Sequence, residues 1–138
     1  MSVRTKTVLR WIAVLPAALG AYAGVALLTV TSQYIFQDSE IYGDFISAIL
    51  APAAFVIVGA NVAPQHKLIT AISLTVLHAM LLASLFGFIA YGVFMMQIKL
   101  THPIWWDATR AIISIVTTIA VCLEVARENP VVNNSSVS

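Results

Sequence analysis

The stretch Leu68–Ile98 reads LITAISLTVLHAMLLASLFGFIAYGVFMMQI and contains no Asp, Glu, Lys or Arg. It exceeds the ~20 apolar residues with which a helix crosses a ~30 Å hydrocarbon layer. Two further stretches, Trp11–Gln37 and Phe45–His66, are also uncharged and long enough to span. A shorter uncharged run, Ala111–Leu123, follows them. We therefore predict an all-α integral membrane protein with four transmembrane helices.

The composition leaves little room for anything besides spans and short connections. Hydrophobic residues make up 60% of the chain and charged residues 9%, whereas a soluble domain carries about 25% charged residues. We find no phosphate-binding glycine loop, zincin motif or nucleophile elbow, and the single cysteine, Cys122, cannot form an internal disulfide. The net charge of +1 gives no reason to expect a nucleic acid partner. We expect no enzymatic activity and no cofactor.

The helix bounds follow from the uncharged stretches and from two prolines. Pro64 disfavours helical geometry at the residue before it and ends the second helix. Pro103 suits a first helical position and lengthens the fourth helix, which the Ala111–Leu123 run alone would leave too short. The predicted helices cover about 11–34, 44–63, 68–92 and 103–126. Together they form one transmembrane domain, 1–128, followed by a polar tail, 129–138, that we predict to be disordered.

The placement of Lys and Arg predicts the orientation, because cytoplasmic loops carry an excess of these residues. With the N-terminus inside, the cytoplasmic basic residues are Arg4, Lys6, Arg10, Lys67 and Arg127. The opposite side then holds only Lys99 and Arg110. This bias predicts an up-down-up-down bundle with both termini in the cytoplasm. We expect it to lie in the cytoplasmic (inner) membrane of a bacterium.

His78 is the one residue with an imidazole, carboxylate, ammonium or guanidinium group deep in the predicted spans. It follows Lys67 by roughly 16 Å of helix rise, near the bilayer centre. By the same count, Tyr22 in the first helix and Thr117 and Thr118 in the fourth lie at similar depth. These four residues form a candidate intramembrane polar network. Its functional interpretation is a proton-linked or ligand site. Its structural interpretation is a neutral imidazole that ties helices together.

A second candidate site lies where the second and third helices connect. Asn61, His66 and Lys67 are close together in sequence near the predicted cytoplasmic end. They form a candidate vestibule or lipid-headgroup site. The alternative is that they serve only as a helix cap and turn.

Small residues recur at four-residue spacing in two helices. Because lipid offers no hydrophobic drive for helices to associate, close contact between spans relies on such residues. The candidate packing positions are Gly20 and Gly24 in the first helix, and Ala71, Thr75, Ala79, Ala83 and Gly87 in the third. Small residues are also common in any spanning helix. The spacing does not say whether these faces meet within one chain or between chains.

These features favour a non-catalytic protein that acts by helix association, as a homo-oligomer or as an accessory subunit of a larger membrane complex. The alternative is a small oligomeric channel or transporter with His78, Tyr22 and Asn61 along its path. A weaker alternative is a quinone- or lipid-handling subunit that uses the Trp105–Trp106 pair and His102. A haem bound by two histidines of one chain is not expected, because His66 and His102 are predicted at opposite membrane faces.

Overall fold

The computed structural model describes residues 3–36, 40–96 and 103–128, and these residues are almost entirely helical. Each helix is long and apolar enough to cross a membrane. This confirms the prediction of an all-helical chain with four such helices. The helices are α1 (Val3–Phe36), α2 (Glu40–Val62), α3 (Lys67–Met96) and α4 (Ile104–Glu128).

All four helices extend past the predicted spans. α1 begins at Val3, eight residues before the expected start, α2 begins at Glu40, four residues early, and α3 ends at Met96, four residues after the expected end. α4 ends at Glu128, two residues late. The prediction for α1 followed the uncharged stretch, but Arg and Lys are good helix formers, so the helix includes the basic residues before it. In α3 the added residues, 93–96, are apolar and prolong the span. Lys99, His102 and the polar tail lie outside the described residues.

A tight turn connects α2 to α3. α2 ends at Val62, and the turn contains Pro64 and closes at His66. His66 has a φ of 55°, the left-handed region that histidine enters more readily than most residues with a side chain. Its carbonyl oxygen accepts a hydrogen bond from the Thr70 amide at 3.0 Å, which begins α3. The turn therefore reverses the chain and starts the next helix within four residues.

α2 is the central helix of the bundle. Its backbone lies close to α1, α3 and α4, and α3 and α4 also pack against each other. Arg10 in α1 donates from Nε to the Val62 carbonyl oxygen at 3.3 Å, so the start of α1 meets the end of α2. Asp44 in α2 and Arg110 in α4 form an ion pair at 3.1 Å, which joins the early parts of those two helices. α1 therefore runs opposite to α2, and α4 runs parallel to it.

The interior is built from small and medium-sized side chains together with Phe55, and most of the large apolar side chains point outward. The core cluster consists of Val14, Ala18, Phe55, Val56, Ala60, Ala63, Ala71 and Leu74. On the outside, Leu28, Phe88 and Phe94 are each more than 70% exposed. A soluble protein does not expose this much apolar surface. The distribution suits helices that pack closely on small residues and present large ones to lipid.

Gly59 of α2 lies close to side chains of both α1 and α3. A Cβ atom on Gly59 would collide with the Leu74 Cδ1 atom of α3 and would lie 3.2 Å from the Ala18 Cβ atom of α1. A side chain at position 59 would therefore require the Leu74 side chain to move. This packing positions the site described next.

Candidate functional site

His78 and Ser114 form a hydrogen bond in the interior of the bundle. The His78 Nε2 atom lies 2.7 Å from the Ser114 Oγ atom. Each residue is only 6% exposed. Either group donates, depending on which ring nitrogen of His78 carries the proton. The bond ties the middle of α3 to the middle of α4.

Aromatic rings from the other two helices complete the surroundings of His78. The ring centroid of Tyr22 in α1 lies 6.0 Å from that of His78, and the centroid of Phe55 in α2 lies 6.1 Å away. Tyr22 and Phe55 also contact each other edge to face, at 6.3 Å. His78 is thus the residue at which all four helices meet.

The structure brings together part of the predicted polar network. Tyr22 lies against His78, as depth counting suggested, but as a ring contact. The two threonines bond to their own helix: Thr117 Oγ1 donates to the Ile113 carbonyl at 2.9 Å, and Thr118 Oγ1 to the Ile115 carbonyl at 2.8 Å. Sequence reasoning missed Ser114. The sequence does contain a signal for it: Ser114 precedes Thr118 by four residues, so the two side chains lie on the same face of α4.

A cavity of about 190 Å³ includes the His78 neighbours Tyr22 and Ser114 in its lining and contains polar side chains from three helices. We call it the Arg110 cavity. Its polar lining consists of Tyr22, Ser47, Asp107, Arg110 and Ser114. Leu82, Phe86 and other apolar residues of α3 form the remaining wall. Ser114 therefore both lines this cavity and bonds to His78.

Charged groups surround one end of the Arg110 cavity. The Arg110 Nη1 atom lies 3.1 Å from the Asp44 Oδ2 atom, and both side chains are about one-third exposed. Trp106 donates from Nε1 to the same carboxylate oxygen, at a long 3.5 Å. Asp107 also lines the cavity, and its carboxylate has no hydrogen-bond or ion-pair partner within 3–36, 40–96 and 103–128. Two carboxylates and one guanidinium leave an excess of one negative charge.

A second cavity, of about 250 Å³, lies toward the other end of the bundle. We call it the Lys67 cavity. Its polar lining consists of Asn61, Lys67, Glu124 and Glu128. Two of the three predicted vestibule residues thus share a cavity, together with two carboxylates of α4. His66 is not among its lining residues and occupies the α2–α3 turn.

The candidate packing residues divide into two groups. Ala71 is fully buried in the core and Thr75 is partly buried, with its hydroxyl bonded to the Ala71 carbonyl at 2.9 Å. Ala79 is partly buried and Ala83 is exposed. At the other three positions, a Cβ atom would have nothing within 4 Å among the described residues; these are Gly20, Gly24 and Gly87. A role for the open positions in contacts between chains stays a prediction.

The described residues contain no group of three or more His, Cys, Asp or Glu side chains that could hold a metal ion. Cys122 is partly buried against the core. Comparison of the chain with protein families, with curated proteins and with solved structures finds no match.

Proposed function

We propose that the protein is a small non-catalytic membrane protein that acts by helix association, with a second copy of itself as the first partner. The observation that carries this proposal is the open surface at Gly20 and Gly24 on α1. The backbone of α1 packs closely on α2 but not on α3 or α4 in the described bundle. Two glycines four residues apart let the backbone of another helix approach closely in lipid.

The test compares the oligomeric state of the wild type with that of a double variant, Gly20→Leu/Gly24→Leu, in lipid nanodiscs. We expect a wild-type oligomer and a monomeric variant of unchanged thermal stability, because the added side chains occupy space outside the bundle. Ala120→Leu is the control for added apolar bulk, since it introduces a leucine at an exposed position of α4.

A monomeric wild type would contradict self-association, and so would a double variant that remains oligomeric. A mild-detergent pull-down then separates the two forms of the proposal. Recovery of a different protein in stoichiometric amount would make this chain an accessory subunit. Recovery of this chain alone is the result expected for a homo-oligomer.

A second candidate function is transport of a small solute or proton past His78. The arrangement of the two cavities favours it. The Arg110 cavity reaches Ser114, the Lys67 cavity begins at Ala60 and Val121, and the buried core closes the space between them. Substrate sites of secondary transporters lie near the bilayer midplane between alternately opened vestibules. Proton flux into proteoliposomes, compared between the wild type and His78→Gln, tests this candidate.

A further inference from the structure

We propose that the Arg110 cavity binds a small organic cation, a protonated amine on a ring or short apolar chain, with Asp107 as its counter-charge. The proposal goes beyond helix association, since every residue of the site belongs to one chain. It also supplies a substrate class for the transport candidate. A chain that binds the amine without moving it would keep this inference and lose only transport.

The charged groups at the cavity favour a positively charged ligand over a negatively charged one. Arg110 is bonded to Asp44, and the Arg110 Nε atom is shielded from solvent, without a partner in the described ranges. The ion pair with Asp44 offsets the charge of the guanidinium, whereas the Nε–H group remains an unused donor. Asp107 faces the same cavity without a partner in the described structure. An anion would meet this unpaired carboxylate, whereas a cation would pair with it.

The residues that line the cavity favour an organic cation over a metal ion. Calcium takes six to eight oxygen ligands and magnesium an octahedral set, but the cavity offers one free carboxylate and a few hydroxyls. Leu82, Leu85 and Ile89 supply an apolar wall, and the rings of Tyr22 and Phe86 line the cavity as well. Aromatic faces attract ammonium groups, and apolar side chains favour the hydrocarbon part of an amine.

The volume of the Arg110 cavity indicates the size of the ligand that fits it. The cavity measures about 190 Å³, and engineered protein cavities of about 150 Å³ hold one benzene molecule. A single ring with one aminomethyl group therefore fits. Tyr22, Ser47 and Ser114 offer hydroxyl groups as further acceptors for the ammonium hydrogens.

The experiment uses the full chain in lipid nanodiscs and three probes of similar size: benzylamine, benzyl alcohol and benzoate. Binding is followed by the indole N–H resonance of Trp106, whose Nε1 atom contacts Asp44 at the end of the cavity. We expect a saturable shift with benzylamine and at least about tenfold weaker binding of the other two probes. Asp107→Asn should weaken benzylamine binding by about tenfold without changing the weak binding of benzyl alcohol.

Two further variants keep the test decisive. Glu124→Gln removes one carboxylate at the other end of α4 and should leave benzylamine binding unchanged. Phe86→Leu keeps an apolar wall but removes an aromatic face, so it should weaken benzylamine binding about threefold. Equal binding of benzylamine and benzyl alcohol would overturn the proposal. An equal loss in Asp107→Asn and Glu124→Gln would also overturn it, since it would reveal only general surface charge.

Discussion

At the scale of single residues, His78 is the polar side chain that the sequence singles out and that the structure places in the interior of the bundle. A polar side chain in the middle of a spanning helix is costly unless it finds a partner. His78 finds that partner in Ser114 and lies against rings from α1 and α2. Within residues 3–36, 40–96 and 103–128, these contacts of His78 involve no charged side chain. The bond to Ser114 satisfies the imidazole, as the structural interpretation of His78 expects.

Substitution of His78 separates the structural interpretation from the proton-linked one. His78→Leu leaves the Ser114 hydroxyl without its partner, and we expect the free energy of unfolding to fall by about 1 kcal/mol, as for other hydrogen bonds between membrane helices. His78→Gln retains a group that bonds to Ser114 but does not titrate, so stability should stay closer to that of the wild type. Unfolding in mixed micelles with increasing SDS measures both variants.

Proton flux in proteoliposomes, measured on the same variants, gives the second readout. If His78 carries protons, both variants lose flux although only His78→Leu is less stable. If His78 is only a tie between helices, His78→Gln behaves as the wild type in both measurements. Flux that persists in both variants would exclude His78 from any transport path.

The depth of the site could be predicted from the sequence, but its partner could not. Helix rise places His78, Tyr22 and the threonines at one level, because each residue adds a fixed 1.5 Å along the axis. It does not say how each helix is rotated about that axis. Rotation is set by packing, and it turns Ser114 toward His78 while Thr117 and Thr118 bond to their own backbone.

At the scale of helices, two kinds of glycine are present. Gly59 lies where three helices touch, and Gly87 lies in open space on α3. Gly59→Leu forces a large side chain against Ala18 and Leu74. We expect this to lower the free energy of unfolding by about 3 kcal/mol, at the upper end for overpacked cores.

Gly87→Leu is the control in the same assay. It adds the same side chain where nothing lies within 4 Å, so stability should change by no more than about 0.5 kcal/mol. Equal losses in the two variants would show that the cost comes from the loss of glycine in a helix rather than from packing. The sequence cannot separate these glycines, since both occupy uncharged helical stretches.

α4 differs from the other helices because one of its faces is polar over most of its length. Asp107, Arg110, Ser114 and Thr118 follow each other at spacings of three and four residues, which places them on one side of the helix. That side faces the bundle, since Ser114 and Thr118 are buried. α4 thereby contributes polar side chains to both cavities and the partner of His78. The polar residues of this face shorten the uncharged run of α4, and the same residues place α4 at the candidate site.

At the scale of the whole molecule, the Lys and Arg distribution predicts the orientation of the bundle. Cys122 is the only cysteine, so a Cys122→Ser background allows single cysteines to be placed and labelled. We expect Ser135→Cys in the tail to react with a membrane-impermeant maleimide only from the cytoplasmic side. Ser39→Cys, between α1 and α2, should react only from the opposite side.

The measurement is labelling of intact cells compared with inverted membrane vesicles. Labelling of both positions from the same side would contradict the four-span topology. The reverse pattern would keep four spans but overturn the predicted orientation. Either result would redirect the flux and ligand experiments, because it changes which cavity faces the cell exterior.

The sequence by itself determined the helices, since an uncharged stretch of sufficient length is stable across a membrane only when it satisfies its own backbone hydrogen bonds. It also determined the position of His78 along α3, from which the predicted depth follows. Only the tertiary structure shows which residues each helix face contacts. It selected Ser114 as the partner of His78, formed the two cavities, paired Arg110 with Asp44 and left Gly20 and Gly24 open. These features depend on the rotation and spacing of helices, which are set by side-chain packing across chain-distant contacts.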